Sequence, residues 1–474
     1  MKKNIVLIMT DQLRADYIKN INESEISLPN IARIYEGIGF SNCVTVNPIC
    51  TPARTSLITG RYSHQIGMLD MSGDLSLQIP TFMQALQNEG YFTAGIGKFH
   101  FLQTWKWSTN RGKGIPLIKI KDKLKQFGFD YIWESSGKQL ALKNYCDYCK
   151  YLDEKGLLEQ YRDFIEKSSK NSDSAYENVE CSEAWPFDES DHVDIQTRIK
   201  SVEFITQRPK DKPFYLFTSF CSPHKPYDPP QRYLDMVKYE ETDDFVQKEE
   251  LSFGEKEILY RQRHAAKALI KFLDDQIGII IETLEQENLL DNTAIIFTSD
   301  HGDMLGDHLR LQKAIYWKQA TDIPLAIRHP DYLYNSWNES PVEIIDICAT
   351  ILDIAEINLY KALTKDWPAY MNIIPCRSLL PILNAEKNKV RDYVFSESRN
   401  EWEMIRNKYF KYIYKIADSE CKEEFYDLVN DPLEIINIVN STDYVSIVNY
   451  FRNERIKIKD NTPSVQTSWA PLID

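Results

Sequence analysis

The chain has 474 residues, long enough for one large domain with a sizeable core plus a smaller one. Its 43% hydrophobic and 27% charged residues are ordinary for a globular protein, and a net charge of −14 argues against a nucleic-acid partner, which would want a basic face. An acidic whole still admits an anionic substrate, because a local site can be cationic. No apolar stretch reaches the length of about eighteen residues that a membrane helix needs. The start, Met1-Lys2-Lys3 and then Asn4 to Thr10, is too short in apolar length for a secretory signal and shows no cleavage site, which predicts a cytoplasmic protein. Nine scattered cysteines, an odd number without framework spacing, point to a reducing compartment.

In chain order, Asn4 to Met9 reads as a buried strand ending at Thr10-Asp11-Gln12. Pro52 to Thr59 reads as a helix, with Pro in the first turn where its missing N–H costs nothing. Thr81 to Gly90 has helical periodicity and a Gly stop; Phe92 to Ile96 is a strand running into Gly97-Lys98-Phe99-His100. From 106 to 191 the pattern breaks into Lys-rich, acidic and aromatic stretches, read as an insertion of short helices and loops over the site. Within it Cys146-Asp147-Tyr148-Cys149 is a lone CxxC, either a weak metal or redox signal or, more commonly, two ordinary thiols on a helix turn. Phe214 to Phe220 is a strand ending at Ser222-Pro223-His224, and Glu255 to Glu287 a long amphipathic helix. Thr293 to Phe297 is a strand ending at Ser299-Asp300-His301-Gly302-Asp303. Strands alternating with helices imply an α/β fold with a large, mainly parallel sheet, whose chemistry belongs at the carboxyl ends of the strands. After about 384 the style changes. Tyr393 to Ser396, Glu403 to Arg406, Tyr409 to Tyr414 and Glu424 to Leu428 read as antiparallel strands before a final helix. The predicted division is therefore 1–384 and a small α+β domain at 385–474.

The strand ends collect ionisable groups. Asp11, Gln12, Asp300 and His301 together offer two carboxylates, an amide oxygen and an imidazole, a set suited to one divalent cation. Oxygen-rich ligation favours Ca²⁺, Mg²⁺ or Mn²⁺, and the imidazole tilts the set toward transition metals. Taken singly, each has a commoner, blander reading: a strand-end Asp caps a turn or helix, and a lone His is structural. Cys50-Thr51-Pro52-Ala53-Arg54 has the form Cys-x-Pro-x-Arg, followed by Thr59-Gly60-Arg61. Its bland reading is a buried cysteine before a Pro-started helix.

Taken in order, these segments resemble the type I sulfatases of the alkaline-phosphatase-like superfamily over nearly the whole chain. Thr10 to Arg14 resembles the family's first metal-binding strand end, and Cys50 to Arg54 its maturation motif. Gly97-Lys98-Phe99-His100 resembles its Gly-Lys-x-His element, Ser222-Pro223-His224 its Pro-His element and Ser299 to Gly302 its second metal segment. Lys313 sits where a later catalytic Lys is expected. Phe425-Tyr426-Asp427-Leu428 with Asn430-Asp431-Pro432 resembles the C-terminal signature. The chain departs from the commonest pattern at Gln12 for a second Asp, His301 for an Asn and Ala53 for the usual Ser. The first two are familiar from choline-sulfatase-like and carbohydrate-sulfatase-like members, and from related phosphonate monoester hydrolases.

The resemblance implies hydrolysis of a sulfate monoester. Cys50 would be oxidised by a radical-based or oxygen-dependent maturation enzyme to formylglycine, whose aldehyde hydrate is the nucleophile. Asp11, Gln12, Cys50, Asp300 and His301 would hold one divalent cation, Ca²⁺ by preference. Arg54, Lys98 and Lys313 would neutralise the sulfate, His224 or Lys313 would protonate the leaving alcohol, and His100 would take the proton from the second hydroxyl. A plain Ser or Cys has no second hydroxyl and cannot expel sulfate this way. His64, placed soon after the nucleophile helix, either touches substrate or is an ordinary helix residue; His264 and His329 read as structural. Trp105, Trp107 and Trp185 either stack on a sugar or pack in the core. The favoured substrate is a small sulfated sugar. One rival is a phosphonate or phosphodiester monoester hydrolase on the same fold; the other is an idle ligand-binding relative in which Cys50 stays a thiol.

Overall fold

The computed structural model describes residues 2–18, 26–103, 111–112, 114, 116–169, 182–240, 245–416 and 422–465. Eight strands form the main sheet: β1 (Asn4–Asp11), β2 (Ile38–Phe40), β4 (Phe92–Gly97), β5 (Tyr131–Glu134), β6 (Phe214–Pro223), β7 (Thr293–Ser299), β8 (Leu325–Arg328) and β9 (Ser336–Asn338). Two further short strands, β3 (Cys43–Val44) and β10 (Val342–Glu343), pair with each other. The order across the main sheet is β5-β4-β6-β1-β7-β8-β2-β9, and β8 runs against all the others.

β1 is buried at every residue because a central parallel strand has both faces covered, which is why it reads as a continuous apolar run. Helices Val193–Gln207 and Phe253–Gln286 pack on each other and on β6; Cys50–Thr59, Phe82–Asn88 and Asp346–Ile354 form a second packed group. The long helix opens with a capping box between Ser252 and Glu255, and Phe82–Asn88 with one between Thr81 and Gln84. Each box satisfies N–H groups that the first helical turn would leave unpaired.

Short helices do occupy much of 106–191, but that span also holds β5. Tyr131-Ile132-Trp133-Glu134 pairs parallel to β4 and forms an edge of the main sheet, so the stretch is not only an overlay of helices and loops. At four residues, β5 is too short to show a strand period among its aromatic neighbours.

The C-terminal strands β11 (Val394–Ser398), β12 (Trp402–Arg406), β13 (Phe410–Lys415) and β14 (Glu423–Asp427) form an antiparallel meander. One face packs Phe395, Ile405, Tyr412 and Phe425 beside Val448 and Phe451 of helix Val445–Asn461. The other packs Val394, Trp402, Met404, Ile413 and Tyr426 against Val44 and Tyr316. This sheet is therefore buried on both sides and reaches the segment that follows Lys313. Among the described residues no helix is long and apolar enough to cross a membrane.

Candidate active site

The sheet register builds the floor of the site. Thr10 stands opposite Ser299 across β1 and β7, and Asp11 opposite Pro223 across β1 and β6. The carboxyl ends of three strands thus deliver Asp11, His224 and Asp300 to one place. Gln12 follows at φ 70°, a left-handed conformation that costs a side-chain-bearing residue about 1–3 kcal/mol. Its N–H donates to Asp300 Oδ1 at 3.0 Å, and its Nε2 donates to Asp303 Oδ2 at 2.5 Å. The Tyr227 hydroxyl donates to the same Asp303 oxygen at 2.6 Å. With its amide nitrogen held in this way, Gln12 Oε1 is left buried with no hydrogen-bond partner.

Cys50 opens helix Cys50–Thr59, all ten residues of which are buried. Its Sγ lies 2.9 Å from Lys313 Nζ, 3.2 Å from His301 Nε2, 3.7 Å from Lys98 Nζ and 3.8 Å from Asp11 Oδ1. Burial pushes the Cys50 thiol up, but Lys313 and Lys98 outweigh it and hold the group well below the usual thiol value. One turn along, Arg54 Nε donates to Asp300 Oδ2 at 2.8 Å. Its Nη1 donates to the Lys98 carbonyl at 2.6 Å and to Ser219 Oγ at 2.8 Å, while Nη2 is buried with no partner. An unpaired N–H of a fully buried guanidinium is a prepared contact for an anionic oxygen.

Lys98 and His100 arrive on the loop after β4. A Cβ at Gly97, φ 109°, would lie 1.8 Å from the Ser219 carbonyl oxygen, so only glycine lets the chain turn here. Lys98 then pairs with Asp11 Oδ2. Burial raises Asp11, but Lys98, then His224 and Lys313, outweigh it and hold the carboxyl well below its usual range. His100 Nε2 donates to the Ser136 carbonyl at 2.8 Å, which leaves Nδ1 as the acceptor nitrogen. Burial, then Lys98, lowers the pKa of His100, so the ring is neutral and can accept a proton. His224 Nδ1 donates to the Lys225 carbonyl at 2.7 Å. Burial, then Lys313, pushes its pKa well below the usual value.

Asp11, Cys50, Asp300 and His301 each place one ligand atom within 4.8 Å of the others, all buried. His301 donates Nδ1–H to the Gly302 carbonyl at 2.9 Å, so its Nε2 lone pair faces the cluster, 3.6 Å from Asp300 Oδ1 and 3.9 Å from Asp11 Oδ1. A backbone carbonyl fixing the tautomer of an imidazole is the usual support of a metal-bound histidine. With the partnerless Gln12 oxygen beside them, these donors fit one divalent cation.

The structure thus brings together Asp11, Gln12, Cys50, Arg54, Lys98, His100, Asp300, His301 and Lys313, with His224 feeling the same charges. His64 is not brought to this cluster. Its Nδ1 lies 2.6 Å from Glu397 Oε1, its Nε2 meets the Thr462 carbonyl, and the ring is buried between helix Ser63–Ile66 and the C-terminal segment. Trp185 is packed among Tyr161, Phe187 and His192, while Trp105 and Trp107 lie outside the described residues. His264 Nε2 donates to the Val237 carbonyl at 2.8 Å and His329 stacks on Tyr332, as structural residues do. Cys146 caps helix Asp147–Glu154 with its sulfur 3.4 Å from that of Cys149, so the CxxC pair forms a buried helix start. Asp303, Ser219 and Ser136 orient Gln12, Arg54 and His100, and sequence reasoning assigned none of them. Asp303 alone carried a signal, as the second acid of Ser299 to Asp303.

A family model described as sulfatase matches residues 3–357, and one described as N-sulphoglucosamine sulphohydrolase, C-terminal, matches residues 306–461. Among solved structures, a phosphonate monoester hydrolase of Agrobacterium radiobacter aligns with a TM-score of 0.76 at 20% identity, covering 97% of this chain and 96% of its own. A protein solved with its substrate D-glucosamine-2-N,6-O-disulfate aligns with a TM-score of 0.71 at 21% identity, covering 98% of both chains. These two share the fold. An arylsulfatase of Clostridium perfringens (strain 13 / Type A) is 30% identical over 490 residues, 96% of this chain and 94% of its own. With that relative matched end to end and the family model covering the strands that carry the cluster, the chain belongs to the sulfatase family.

Proposed function

We propose that this sulfatase hydrolyses the sulfate monoester of a small sulfated sugar, using a formylglycine made from Cys50 and one divalent cation, calcium. The observation that carries the reading is the setting of Cys50. Its Sγ lies within 4 Å of two lysine ammoniums, an imidazole and a carboxylate, beside a buried arginine with an unpaired N–H. The substrate class is supported by the fold neighbour solved with a disulfated glucosamine. Oxidation of Cys50 needs a maturation enzyme as a transient partner.

Formylglycine supplies an aldehyde whose hydrate carries two hydroxyls, one to attack sulfur in line and one to drive sulfate out. Asp11, Gln12, Asp300 and His301, beside the Cys50 position, would hold the cation, which when bound would lower the pKa of the attacking hydroxyl and draw charge from the sulfate. Arg54 Nη2, Lys98 and Lys313 meet the non-bridging oxygens, where negative charge grows in the transition state. Before substrate binds, burial and then Lys313 hold the His224 pKa well below its usual value. The negative sulfate offsets Lys313, so substrate binding itself readies the ring to protonate the leaving oxygen. His100, its Nε2 committed to Ser136, presents Nδ1 to take the proton of the second hydroxyl.

Peptide mass spectrometry across Cys50, on protein from its native host or made with a maturase, is expected to find the aldehyde. An unmodified thiol in fully native material removes the covalent mechanism and favours the ligand-binding reading. Sulfate, phosphonate and phosphodiester esters of one leaving alcohol are then compared. A phosphorus ester turned over far better than the sulfate would move the function to the phosphonate hydrolases, whose fold also matches closely.

A further inference from the structure

Joining the segment after β5 to the loop after β6 is an ion pair with no place in the chemistry above. Lys138 Nζ lies 2.5 Å from Asp228 Oδ1, with side-chain exposures of 0% and 1%. The same ammonium donates to the Pro226 carbonyl at 3.1 Å. A second buried cation-capable group, His192, stands 3.7 Å from the same Asp228 oxygen. Burying a charged pair is costly unless its geometry is good and further hydrogen bonds satisfy both partners, as the Pro226 carbonyl does for Lys138.

Each end of the pair leads to a proton carrier. Two residues before Lys138, the Ser136 carbonyl takes the Nε2–H of His100. Between them Gly137, φ 82°, packs so closely that a Cβ there would lie 3.3 Å from Lys98 Cδ and 3.4 Å from His100 Nε2. On the other side, the residues from His224 to Asp228 form one continuous brace. The Lys225 carbonyl accepts from His224, the Pro226 carbonyl accepts from Lys138, Tyr227 bonds to Asp303, which holds Gln12, and Asp228 pairs with Lys138. The geometry points to Lys138 and Asp228 as positioning residues that lock the His224 loop against the strand end behind His100, setting His224 relative to the Cys50 position. This inference rests on the role given above to His224.

Because Lys138→Met alone leaves Asp228 charged and buried, the neutral pair Lys138→Met/Asp228→Asn is the main variant. Asp228→Asn alone, which keeps an oxygen for Lys138, is the gentler second. Each is made in the mature enzyme and in a His224→Ala background, with phenyl sulfate, a poor leaving group, as probe. Displacing a reacting group by about 1 Å costs on the order of 100-fold. The neutral pair is therefore expected to lower kcat roughly 10- to 100-fold in the otherwise intact enzyme with little change in KM. In the His224→Ala background the further loss should be below about 3-fold, since residues acting through one another are not additive. Equal losses in both backgrounds, or no loss in either, would overturn the positioning role. If His224→Ala itself costs nothing on phenyl sulfate, the role of His224 falls first and the inference falls with it.

Discussion

Asp11, Gln12, Asp300 and Arg54 stand on the ends of β1 and β7 and on the helix begun by Cys50, where the sheet ladder and one helical turn set their spacing. His100, His224 and Lys313 stand on loops, and their places depend on carbonyls and side chains from distant parts of the chain: Ser136, Lys138 and Trp402. In the proposed mechanism Asp11, Asp300 and Arg54 carry fixed charge throughout the reaction, with Gln12 a neutral oxygen donor beside them. The second set carries the protons that come and go in that mechanism. Rigid elements hold charge well because sheet and helix positions cannot drift without breaking many backbone bonds. Loops accept proton carriers because their tethers can be tuned one at a time. The contrast predicts that damage on the rigid side is total, and damage on the loop side graded.

The largest effect belongs to the rigid side. Cys50→Ala is expected to reduce turnover of every ester to background while the thermal midpoint stays near that of the parent, because the hydrogen bonds of the thiol run to side chains of the site. A chelator should do the same reversibly, and reconstitution with Ca²⁺, Mg²⁺ or Mn²⁺ reads out which ion restores kcat. Residual turnover within about tenfold of the parent would remove Cys50 from the chemistry, since loss of a nucleophile costs far more than that.

His224→Ala should be smaller and graded. A general acid is worth about 10²–10⁴ in rate, most with a poor leaving group, so phenyl sulfate should lose more than 4-nitrophenyl sulfate. The pH profile carries a second sign. In the free enzyme, burial and then Lys313 depress the pKa of His224, and a bound anion offsets Lys313. The limb that reports this ring should therefore lie at higher pH in kcat than in kcat/KM. Coincident limbs, or equal losses on the two esters, would pass the acid role to Lys313.

The same contrast explains what could be read from the sequence. β1, β6 and β7 are continuous apolar runs ending in polar clusters, and strand ends in an α/β sheet have one destination. The rigid half of the site was visible in that pattern, and Cys50 and Arg54 in their motif. Strands of two to four residues such as β3, β5 and β10 gave no period to count. The tethers were hidden for another reason. Lys138 and Asp228 are 90 positions apart, and nothing local marks either one. His64 looked like a substrate contact because it follows the nucleophile helix closely. Its real partner, Glu397, lies 333 positions downstream, where only folding brings it near.

That His64–Glu397 tie offers a test on stability. Burial raises Glu397, but His64, then Lys459, outweigh it and lower its pKa from 4.5 to about 2. A carboxyl depressed in the folded state contributes stability above its unfolded pKa and loses it as pH falls through the folded value. The shift corresponds to about 3 kcal/mol, present at neutral pH and lost between about pH 4.5 and 2. Glu397→Gln should therefore be less stable than the parent in urea at pH 7, with the gap closing steadily on acidification. A gap independent of pH would assign the loss to packing rather than to charge.

The smallest effect probes how far the C-terminal sheet reaches into the site. Trp402, on β12, donates its indole N–H to the Ala314 carbonyl at 3.2 Å, and the Ala314 N–H donates to the Pro48 carbonyl at 3.0 Å. Lys313 is thus held between Gln312 and Ala314, both left-handed at φ 67° and 71°, on a segment clamped from the nucleophile side and from the C-terminal sheet. Trp402→Phe keeps an aromatic ring beside Tyr316 but leaves the Ala314 carbonyl short of one donor, a loss of about 1 kcal/mol. Relaxation of a strained segment by a fraction of an ångström moves the Lys313 ammonium away from the Cys50 position. A fall in kcat of about threefold to tenfold is expected, on the same scale by which small misplacements of a reacting group act. KM should rise with it, because in the proposed mechanism Lys313 also meets the sulfate in the ground state, and Lys313→Ala should abolish the difference between Trp and Phe at 402. If stability drops and kcat does not, the C-terminal sheet holds this loop for folding alone, and the tether of Lys313 must be sought on the Pro48 side.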